Sequence, residues 1–266
     1  MTVTATRLHE PTEPPMSAPD RPKDDHHGRR HGACPVGPPP HGVTSSAAGQ
    51  GGDRRSARLL DMASQLAVPL SDAMVERLLA YLDLLQRWNA TYNLTAVRDP
   101  DEVLTQHLAD CLAVIGPLRR QQACSTGARI LDVGSGGGLP GVVIAAVCPE
   151  WHVVCVDAVG KKAAFIRQAA LQLRLKNLQS EHARVESLSA GLFDLVTSRA
   201  FATLADFTAL TRRHLAPDGV WMAMKGRSPS EEIAGLPAAV QMFHVEQLVV
   251  PGLNAERCLV WMKPSA

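Results

Sequence analysis

A run of small residues at positions 132–141 carries the first chemical signal in the sequence. It reads Asp-Val-Gly-Ser-Gly-Gly-Gly-Leu-Pro-Gly and follows the apolar pair Ile130 and Leu131, which predicts a strand, a loop almost free of side chains and a helix. Such a loop lets a ligand approach the main chain closely, so it is typical of nucleotide-containing ligands that bind at the end of a first strand. A tight turn with a purely structural role is the alternative.

Two ligand classes bind to loops of this kind, and Asp132 distinguishes between them. Residues 136–141 match the G-x-G-x-x-G pattern of dinucleotide-binding proteins, with Asp157 about twenty residues further on. However, Asp132 would place a carboxylate near the pyrophosphate of a dinucleotide, which is a repulsive arrangement. The same carboxylate suits the ammonium group of S-adenosylmethionine. We therefore predict that Asp132, Gly134 and Gly136 bind S-adenosylmethionine.

Asp157 supplies the second element of the predicted site. It follows the apolar residues 153–156, so we expect it at the end of the next strand, where its carboxylate could accept hydrogen bonds from both ribose hydroxyls. S-adenosylmethionine and NAD share a ribose, so Asp157 does not separate them. A surface acid at a strand end is the alternative interpretation.

Alternating β-rich and helical segments must position these residues. The predicted strands cover residues 129–133, 152–156, 178–182, 193–197 and 219–224, and the helices between them cover about 138–148, 160–174, 203–214 and 229–239. This pattern predicts an α/β fold with a mostly parallel, Rossmann-like sheet and helices on both faces. Two final strands, near 242–249 and 257–262, would add an antiparallel edge.

Helical periodicity precedes the sheet. It predicts helices over 56–67 and 71–90, with Ser71 as N-cap of the second, and a further helix that carries His107 and Asp110 and stops at Gly116. We therefore divide a single domain, residues 56–266, into an N-terminal helical part, 56–117, and a Rossmann-like core, 128–266.

Residues 1–55 are predicted to be a disordered tail rich in proline, glycine and histidine, because they contain no periodic apolar pattern. A histidine- and cysteine-containing cluster in this tail could bind a metal, but its spacings match no compact site, so no metal is predicted. The cluster consists of His26, His27, His31, Cys34 and His41.

Composition excludes several classes of protein. The scattered cysteines favour a reducing cytoplasm, and the longest apolar stretch, 139–148, is too short to span a membrane. The net charge is +1, so binding to nucleic acid would require a local basic face. The candidate residues for such a basic face are Arg119, Arg120, Lys161, Lys162, Arg167, Arg174, Lys176, Arg212, Arg213, Lys225 and Arg227. The alternative is that these residues lie on ordinary solvated helix faces. We expect a monomer.

Several short motifs, in one order over roughly residues 58–263, resemble the RsmG/GidB family. They are Asn93-Leu94-Thr95, His107-Leu108-Ala109-Asp110, the loop 132–141, Arg184-Val185-Glu186, Ser198-Arg199-Ala200-Phe201 and Met224-Lys225-Gly226. The resemblance implies a class I S-adenosylmethionine-dependent methyltransferase in the cytoplasm. Its implied reaction is methylation of N7 of a guanine in 16S ribosomal RNA, guanine 527 in the family, as free RNA or in the small-subunit particle.

The resemblance also implies roles for individual residues. Its cofactor contacts are Gly134, Leu139, Val185, Glu186 and Arg199. An ion pair with a helix is the alternative for Arg199. Since the guanine N7 atom already has a lone pair, no catalytic base is required, and rate should come from alignment of the reactants. The candidates for positioning the base or a phosphate are Asn93, His107, Asp110, Arg199 and Lys225.

Capping or hydrogen bonding in the core is an equally good interpretation of His107 and Asp110. Three other functions also remain open for the chain. A small-molecule methyltransferase would use the same loop without a basic face. A nicotinamide oxidoreductase would bind NADH, and a non-catalytic RNA-binding protein would bind RNA without the glycine loop.

Overall fold

The computed structural model of the chain describes residues 48–97, 99–121 and 125–265, and a seven-stranded sheet runs through them. The strands are β1 Arg129–Val133, β2 His152–Asp157, β3 Leu178–His182, β4 Phe193–Arg199, β5 Leu215–Lys225, β6 Val240–Leu248 and β7 Arg257–Pro264. Their order is β3-β2-β1-β4-β5-β7-β6. The first five are parallel, and β7 is antiparallel to both β5 and β6. The predicted α/β fold with its antiparallel edge is confirmed.

The strand order reverses between β1 and β4, so the loops after these two strands diverge and leave a crevice. Apart from their first residues, β1 and β2 are buried along their whole length, because helices cover both faces of the sheet. Successive side chains point to opposite faces. Ile130 and Leu195 therefore pack in one apolar cluster, and Leu131 and Val196 in the other.

The helices that cover the core are α6 Gly141–Val147, α7 Gly160–Gln172, α8 Leu204–Thr211 and α9 Ser230–Ala234. The prediction of a helix over 229–239 was wrong in its second half. Gly235 is the C-cap of α9, and Pro237 has no N–H with which to continue the helical hydrogen bonds.

The N-terminal helices are α1 Ala48–Gln65 and α2 Asp72–Tyr92. Ser71 Oγ accepts a hydrogen bond from Met74 N at 3.4 Å, which confirms the predicted N-cap. Residues 48–55 were predicted to belong to the tail, but they lie in α1, whose Arg55 forms an ion pair of 2.7 Å with Asp83 of α2. The rest of the predicted tail, with its histidine and cysteine cluster, lies outside the described residues.

A helical run follows as α3 Pro100–Val103, a π-helix Leu104–Ala109, α4 Asp110–Leu112 and α5 Ile115–Arg120. The predicted stop at Gly116 was wrong, because Gly116 and Pro117 lie inside the first turn of α5. A proline is accepted there, since an N–H in the first turn has no acceptor within the helix. The wider π turn directly precedes Asp110.

Two features are absent from the described residues. No helix among them is long and apolar enough to cross a membrane. No three His, Cys, Asp or Glu side chains among them are grouped in a way that could bind a metal ion.

Candidate functional site

A cavity of about 590 Å³ lies at the carboxyl ends of β1, β4 and β5, where the strand order reverses. This volume is in the range of small-molecule sites in proteins. The glycine loop forms one wall and the N-terminal helical part forms another. Among the residues predicted to be functional, the lining contains Gly134, Gly136, Leu139, His107, Asp110, Arg199 and Lys225.

Two features of the loop require glycine, namely positive φ angles at two positions and close packing at one of them. Gly134 and Gly136 have φ angles of +64° and +58°, which L side chains rarely adopt. A Cβ at Gly134 would lie 2.5 Å from Cδ2 of Phe201, so a side chain there would displace this ring. A Cβ at Gly136 would have no neighbour closer than 3.9 Å. The missing side chain of Gly136 therefore leaves open space beside the cavity.

Most main-chain N–H groups of the loop already have acceptors within the protein. Gly134 and Ser135 donate to Val156 O, and Gly138 and Leu139 donate to Ser135 O. Two further donors, Gly136 and Gly141, are bound by carboxylates. A pyrophosphate would need such N–H groups to be free. The arrangement therefore argues against a dinucleotide at this loop.

Asp132 lies behind the loop and is not part of the cavity lining. Its Oδ2 accepts a hydrogen bond from Gly141 N at 2.9 Å and lies 3.8 Å from Cys155 Sγ. Its buried Oδ1 has no hydrogen-bond partner among the described residues. Burial raises the pKa of Asp132 to about 7, although the Gly141 N–H and the charge of Arg199 act in the opposite direction.

Asp157 orients the loop from the end of β2. Its Oδ2 accepts a hydrogen bond from Gly136 N at 2.9 Å, and its Oδ1 accepts one from Val159 N at 2.8 Å. The side chain is buried, with an exposed fraction of 6% for the residue, so the alternative of a surface acid was wrong. Carboxylate oxygens have further lone pairs, so binding to ribose hydroxyls stays a prediction.

Arg199 ends β4 and faces the helical part across the cavity. Its Nη1 donates to Gln106 O at 3.1 Å and to Asp110 Oδ2 at 3.2 Å. The other Asp110 oxygen accepts a hydrogen bond from Arg257 Nε at 2.9 Å. Asp110 is therefore a buried carboxylate between two arginines. The alternative interpretation of Arg199, an ion pair with a helix, describes the geometry that is present.

His107 is a neutral group in the cavity wall. Its Nε2 lies 2.9 Å from Thr95 Oγ1, and the main-chain N–H of Thr95 donates to Asn89 Oδ1 at 2.9 Å. Burial, together with the positive charge of Arg199, lowers the pKa of His107 to about 4. The ring is therefore uncharged at neutral pH and can form hydrogen bonds without adding charge.

Lys225 ends β5 and forms an ion pair with Glu232 of α9, with an Nζ to Oε2 distance of 2.8 Å. Glu232 also accepts a hydrogen bond from Leu204 N, so it connects the lysine to the start of α8. Asn93 is the left-handed C-cap of α2 and is exposed. It is adjacent to the cavity-lining residues Leu94 and Thr95 but is not itself part of the lining.

Val185 and Glu186 lie in a short 3-10 helix after β3 and are not among the residues that line the cavity. The carbonyl of Val185 lies 2.7 Å from His214 Nε2, and that of Glu186 accepts a hydrogen bond from Arg213 Nη1 at 2.6 Å. Contact of these two residues with the adenine ring stays a prediction.

The candidate basic residues do not form one face. Lys162 and Lys225 line the cavity at the carboxyl edge of the sheet. Arg174 and Lys176 directly precede β3, and Arg212 precedes β5, so these three lie at the opposite edge. Of the candidate set, Lys162 and Lys225 line the cavity, together with Arg199 and Arg257.

Comparison with known proteins identifies the family. The GidB family model, described as rRNA small subunit methyltransferase G, matches residues 74–260. This chain belongs to the GidB family. The ribosomal RNA small subunit methyltransferase G of Acidovorax sp. strain JS42 is 61% identical over 215 residues, which cover 78% of this chain and 95% of that protein. The protein of the same name from Methylibium petroleiphilum is 60% identical over 200 residues, 75% of this chain and 90% of that protein.

Solved structures with a similar fold are more distant than these GidB relatives. TrmN from Thermus thermophilus has a TM-score of 0.49 and 19% identity, and the match covers 61% of this chain and 53% of TrmN. A SAM-dependent methyltransferase from Aquifex aeolicus has a TM-score of 0.48 and 16% identity, covering 64% of this chain and 96% of that protein.

Sequence reasoning found the family but missed three side chains that contact the candidate site. They are Arg257, Glu232 and Tyr81, each of which contacts a cavity residue or the loop. Arg257 and Glu232 stand in segments without a recognisable motif. Tyr81 was hidden in the apolar pattern of α2, although a tyrosine in an apolar helix face needs a partner for its hydroxyl.

Proposed function

We propose that this protein transfers a methyl group from S-adenosylmethionine to N7 of a guanine in 16S ribosomal RNA, guanine 527 in the family. The observation that carries the proposal is the charge of the cavity next to the glycine loop. Lys162, Arg199, Lys225 and Arg257 line it. Asp110 pairs with the two arginines and Glu232, outside the lining, pairs with Lys225, so the four cations still outnumber the two carboxylates. A phosphodiester is the ligand class that such a cavity favours.

The residues around the loop fit S-adenosylmethionine. Gly136 leaves open space for a close approach, and Asp132 behind the loop has an unpartnered Oδ1 whose charge, when ionised, would favour an ammonium in the cavity. Gly134, Leu139 and Arg199 would contact the methionine part. Asp157 would bind the ribose, and Val185 and Glu186 the adenine. When bound, S-adenosylmethionine supplies an electrophilic methyl group on a positively charged sulfur.

The remaining task of the chain is to orient the guanine. The N7 lone pair attacks without prior loss of a proton, so a neutral His107 is sufficient in this wall. Asn93, His107, Asp110 and Lys225 are the groups that would position the base or an adjacent phosphate, with Arg199 between the two ligands. In-line alignment and a site that tolerates positive charge moving to the purine would supply the rate.

The choice of RNA over a small molecule rests on the cationic lining, because the chain as a whole carries a net charge of only +1. The loop hydrogen bonds support S-adenosylmethionine over a dinucleotide. The enzyme would act as a cytoplasmic monomer on 16S RNA or on the small-subunit particle, without a metal.

The test is methylation of small ribosomal subunits from a bacterial strain that lacks the corresponding gene. Purified protein and S-adenosylmethionine should produce 7-methylguanosine at one position of the 16S RNA, measured by nuclease digestion and mass spectrometry. Arg257→Gln should lower kcat/KM for the subunits at least tenfold. Lys176→Gln, at the opposite edge, should match the wild type. Methylation of another atom, or RNA binding without methylation in the wild type, would contradict the proposal.

A further inference from the structure

One hydrogen bond connects the N-terminal helical part directly to the glycine loop. Tyr81 of α2 donates from its hydroxyl to Gly137 O at 2.7 Å. The tyrosine is fully buried and its ring packs beside Phe165 of α7, with 6.1 Å between the ring centroids. Burial also raises the pKa of Tyr81 well above its ordinary value of 10, so the hydroxyl remains a donor.

The acceptor of this bond belongs to a peptide unit that is easily rotated. Gly137 stands between Gly136 and Gly138, whose φ angles are +58° and +85°. Because glycine adopts either sign of φ at little cost, the peptide between Gly137 and Gly138 has alternative orientations. The Tyr81 bond fixes its carbonyl, and the bond from Gly138 N to Ser135 O, 2.8 Å, fixes its N–H. A flip of this peptide would break both bonds.

Helix α2 also restricts the loop sterically. A Cβ at Gly137 would lie 3.3 Å from Leu85 Cδ1 and 3.7 Å from the Tyr81 hydroxyl. The opposite side of the loop is bound to the sheet through Asp157 and Asp132. The sheet therefore orients Gly136 and Gly141, whereas α2 orients Gly137.

We propose that Tyr81 is a positioning residue that sets the binding-competent geometry of the glycine loop, through its hydrogen bond to Gly137. This inference rests on the proposed function, because it assigns S-adenosylmethionine to the loop. Tyr81 acts through the main chain and makes no contact with the RNA. Its loss should weaken binding of the cofactor and leave the RNA side of the reaction unchanged.

The test compares Tyr81→Phe with a matched variant on the same helix, Tyr92→Phe. The ring of Tyr92 packs on Trp88, with 5.1 Å between the ring centroids, and no hydrogen bond joins its hydroxyl to the described loop residues. Calorimetry with S-adenosylhomocysteine should show a Kd five- to tenfold higher for Tyr81→Phe, as expected for the loss of one buried hydrogen bond. The KM for S-adenosylmethionine should rise similarly, while kcat and the KM for subunits stay within about twofold. Tyr92→Phe should match the wild type throughout.

A purely structural role would lower the unfolding temperature without this division between KM and kcat. Hydrogen exchange gives a second readout, because the amide of Gly138 should exchange faster in Tyr81→Phe than in the wild type. An unchanged Kd, or an equal loss in Tyr92→Phe, would overturn the inference while the proposed function stands. Failure of the wild type to bind S-adenosylhomocysteine would overturn both.

Discussion

Arg257 donates a hydrogen bond of 2.9 Å from Nε to Oδ1 of Asp110, although 147 positions of sequence separate the two residues. Asp110 uses its other oxygen for Arg199, and its side chain has an exposed fraction of only 3%. One buried carboxylate therefore orients two partly exposed guanidinium groups that begin β7 and end β4. Removing the charge of Asp110 should be costly, because Arg199 and Arg257 would keep their positive charges without a carboxylate partner.

Replacing Asp110 by asparagine should therefore affect both stability and reaction rate. Asp110→Asn should reduce the free energy of unfolding by about 2 kcal/mol, since it weakens two charge-assisted hydrogen bonds. Single-turnover methyl transfer should fall at least tenfold, because Arg199 and Arg257 lose their common partner. Urea unfolding and rapid-quench measurements test this. The control is Asp101→Asn, which removes an exposed partner of Arg58 and should cost less than about 1 kcal/mol.

Two glycines of the loop should respond differently to alanine. Gly134→Ala should cost about 2 kcal/mol or more of stability, because the Cβ meets Phe201 at 2.5 Å and φ is positive. The new Cβ of Gly136→Ala would lie in open space, so only the strain of the positive φ angle, about 1 kcal/mol, applies. Both variants should weaken S-adenosylhomocysteine binding at least tenfold. Thermal unfolding and calorimetry measure the two effects, and equal stability of the two variants would contradict the contact with Phe201.

The raised pKa of Asp132 predicts a specific pH dependence of stability. Between its ordinary value of 3.8 and about 7, the folded state keeps a proton that the unfolded state has released. This contribution to stability is complete below the unfolded pKa and is lost as the pH rises through about 7. Asp132→Asn removes this pH-dependent contribution. The free energy of unfolding of the variant minus that of the wild type should therefore increase by at least about 1 kcal/mol from pH 5 to pH 8.

His107 acts in the opposite direction but does not obscure this measurement. Its pKa is lowered from 6.5 to about 4, so it contributes stability that is present above the unfolded pKa and is lost as the pH falls towards 4. Both proteins contain His107, and its effect cancels in their difference. A difference that is constant between pH 5 and pH 8 would show that Asp132 is ionised throughout.

Two truncations test where the folded domain begins. Deleting residues 1–47 should leave stability within about 0.5 kcal/mol and leave methyl transfer unchanged. Deleting residues 1–55 removes the first turns of α1 and the ion pair of 2.7 Å between Arg55 and Asp83, which should cost about 1 kcal/mol. Unfolding curves of both truncated chains give the comparison. Equal stability of the two would place the start of the domain after residue 55.

The sequence alone was enough to predict features that depend on residues close together in the chain. Strand positions, the glycine loop and the Ser71 cap follow from local patterns, and the structure confirms them. The start of α1 was not predictable in this way. Gly49, Gly51 and Gly52 disfavour a helix by intrinsic propensity, but residues 48–55 are nevertheless helical in the packed chain.

The directions of functional side chains were less predictable than their positions. Asp132 and Asp157 occupy the expected strand ends, yet their carboxylates bind loop N–H groups, which only the three-dimensional course of the loop could show. The pairing of Asp110 with Arg257 joins two segments that are remote in sequence. No local pattern contains that information, so Arg257 was missed while Arg199, in a recognisable motif, was found.

Arg199 allows the final prediction, which separates orientation from charge. Its Nη1 donates to both Gln106 O and Asp110 Oδ2, so paired hydrogen bonds from the planar guanidinium to a ligand would also involve its other nitrogens. Lysine keeps the positive charge but has no planar fork.

If Arg199 orients the cofactor or the base, Arg199→Lys should reduce single-turnover methylation ten- to a hundredfold, about 1.4–2.8 kcal/mol of transition-state stabilisation. Because the ion pair with Asp110 can partly persist, the free energy of unfolding should change by less than about 1 kcal/mol. Arg212→Lys, an exposed arginine at the opposite edge of the sheet, should keep the parental rate. A parental rate for Arg199→Lys, or a loss of activity matched by unfolding, would leave Arg199 as a structural partner of Asp110 and move the orienting role to Lys225 or Arg257.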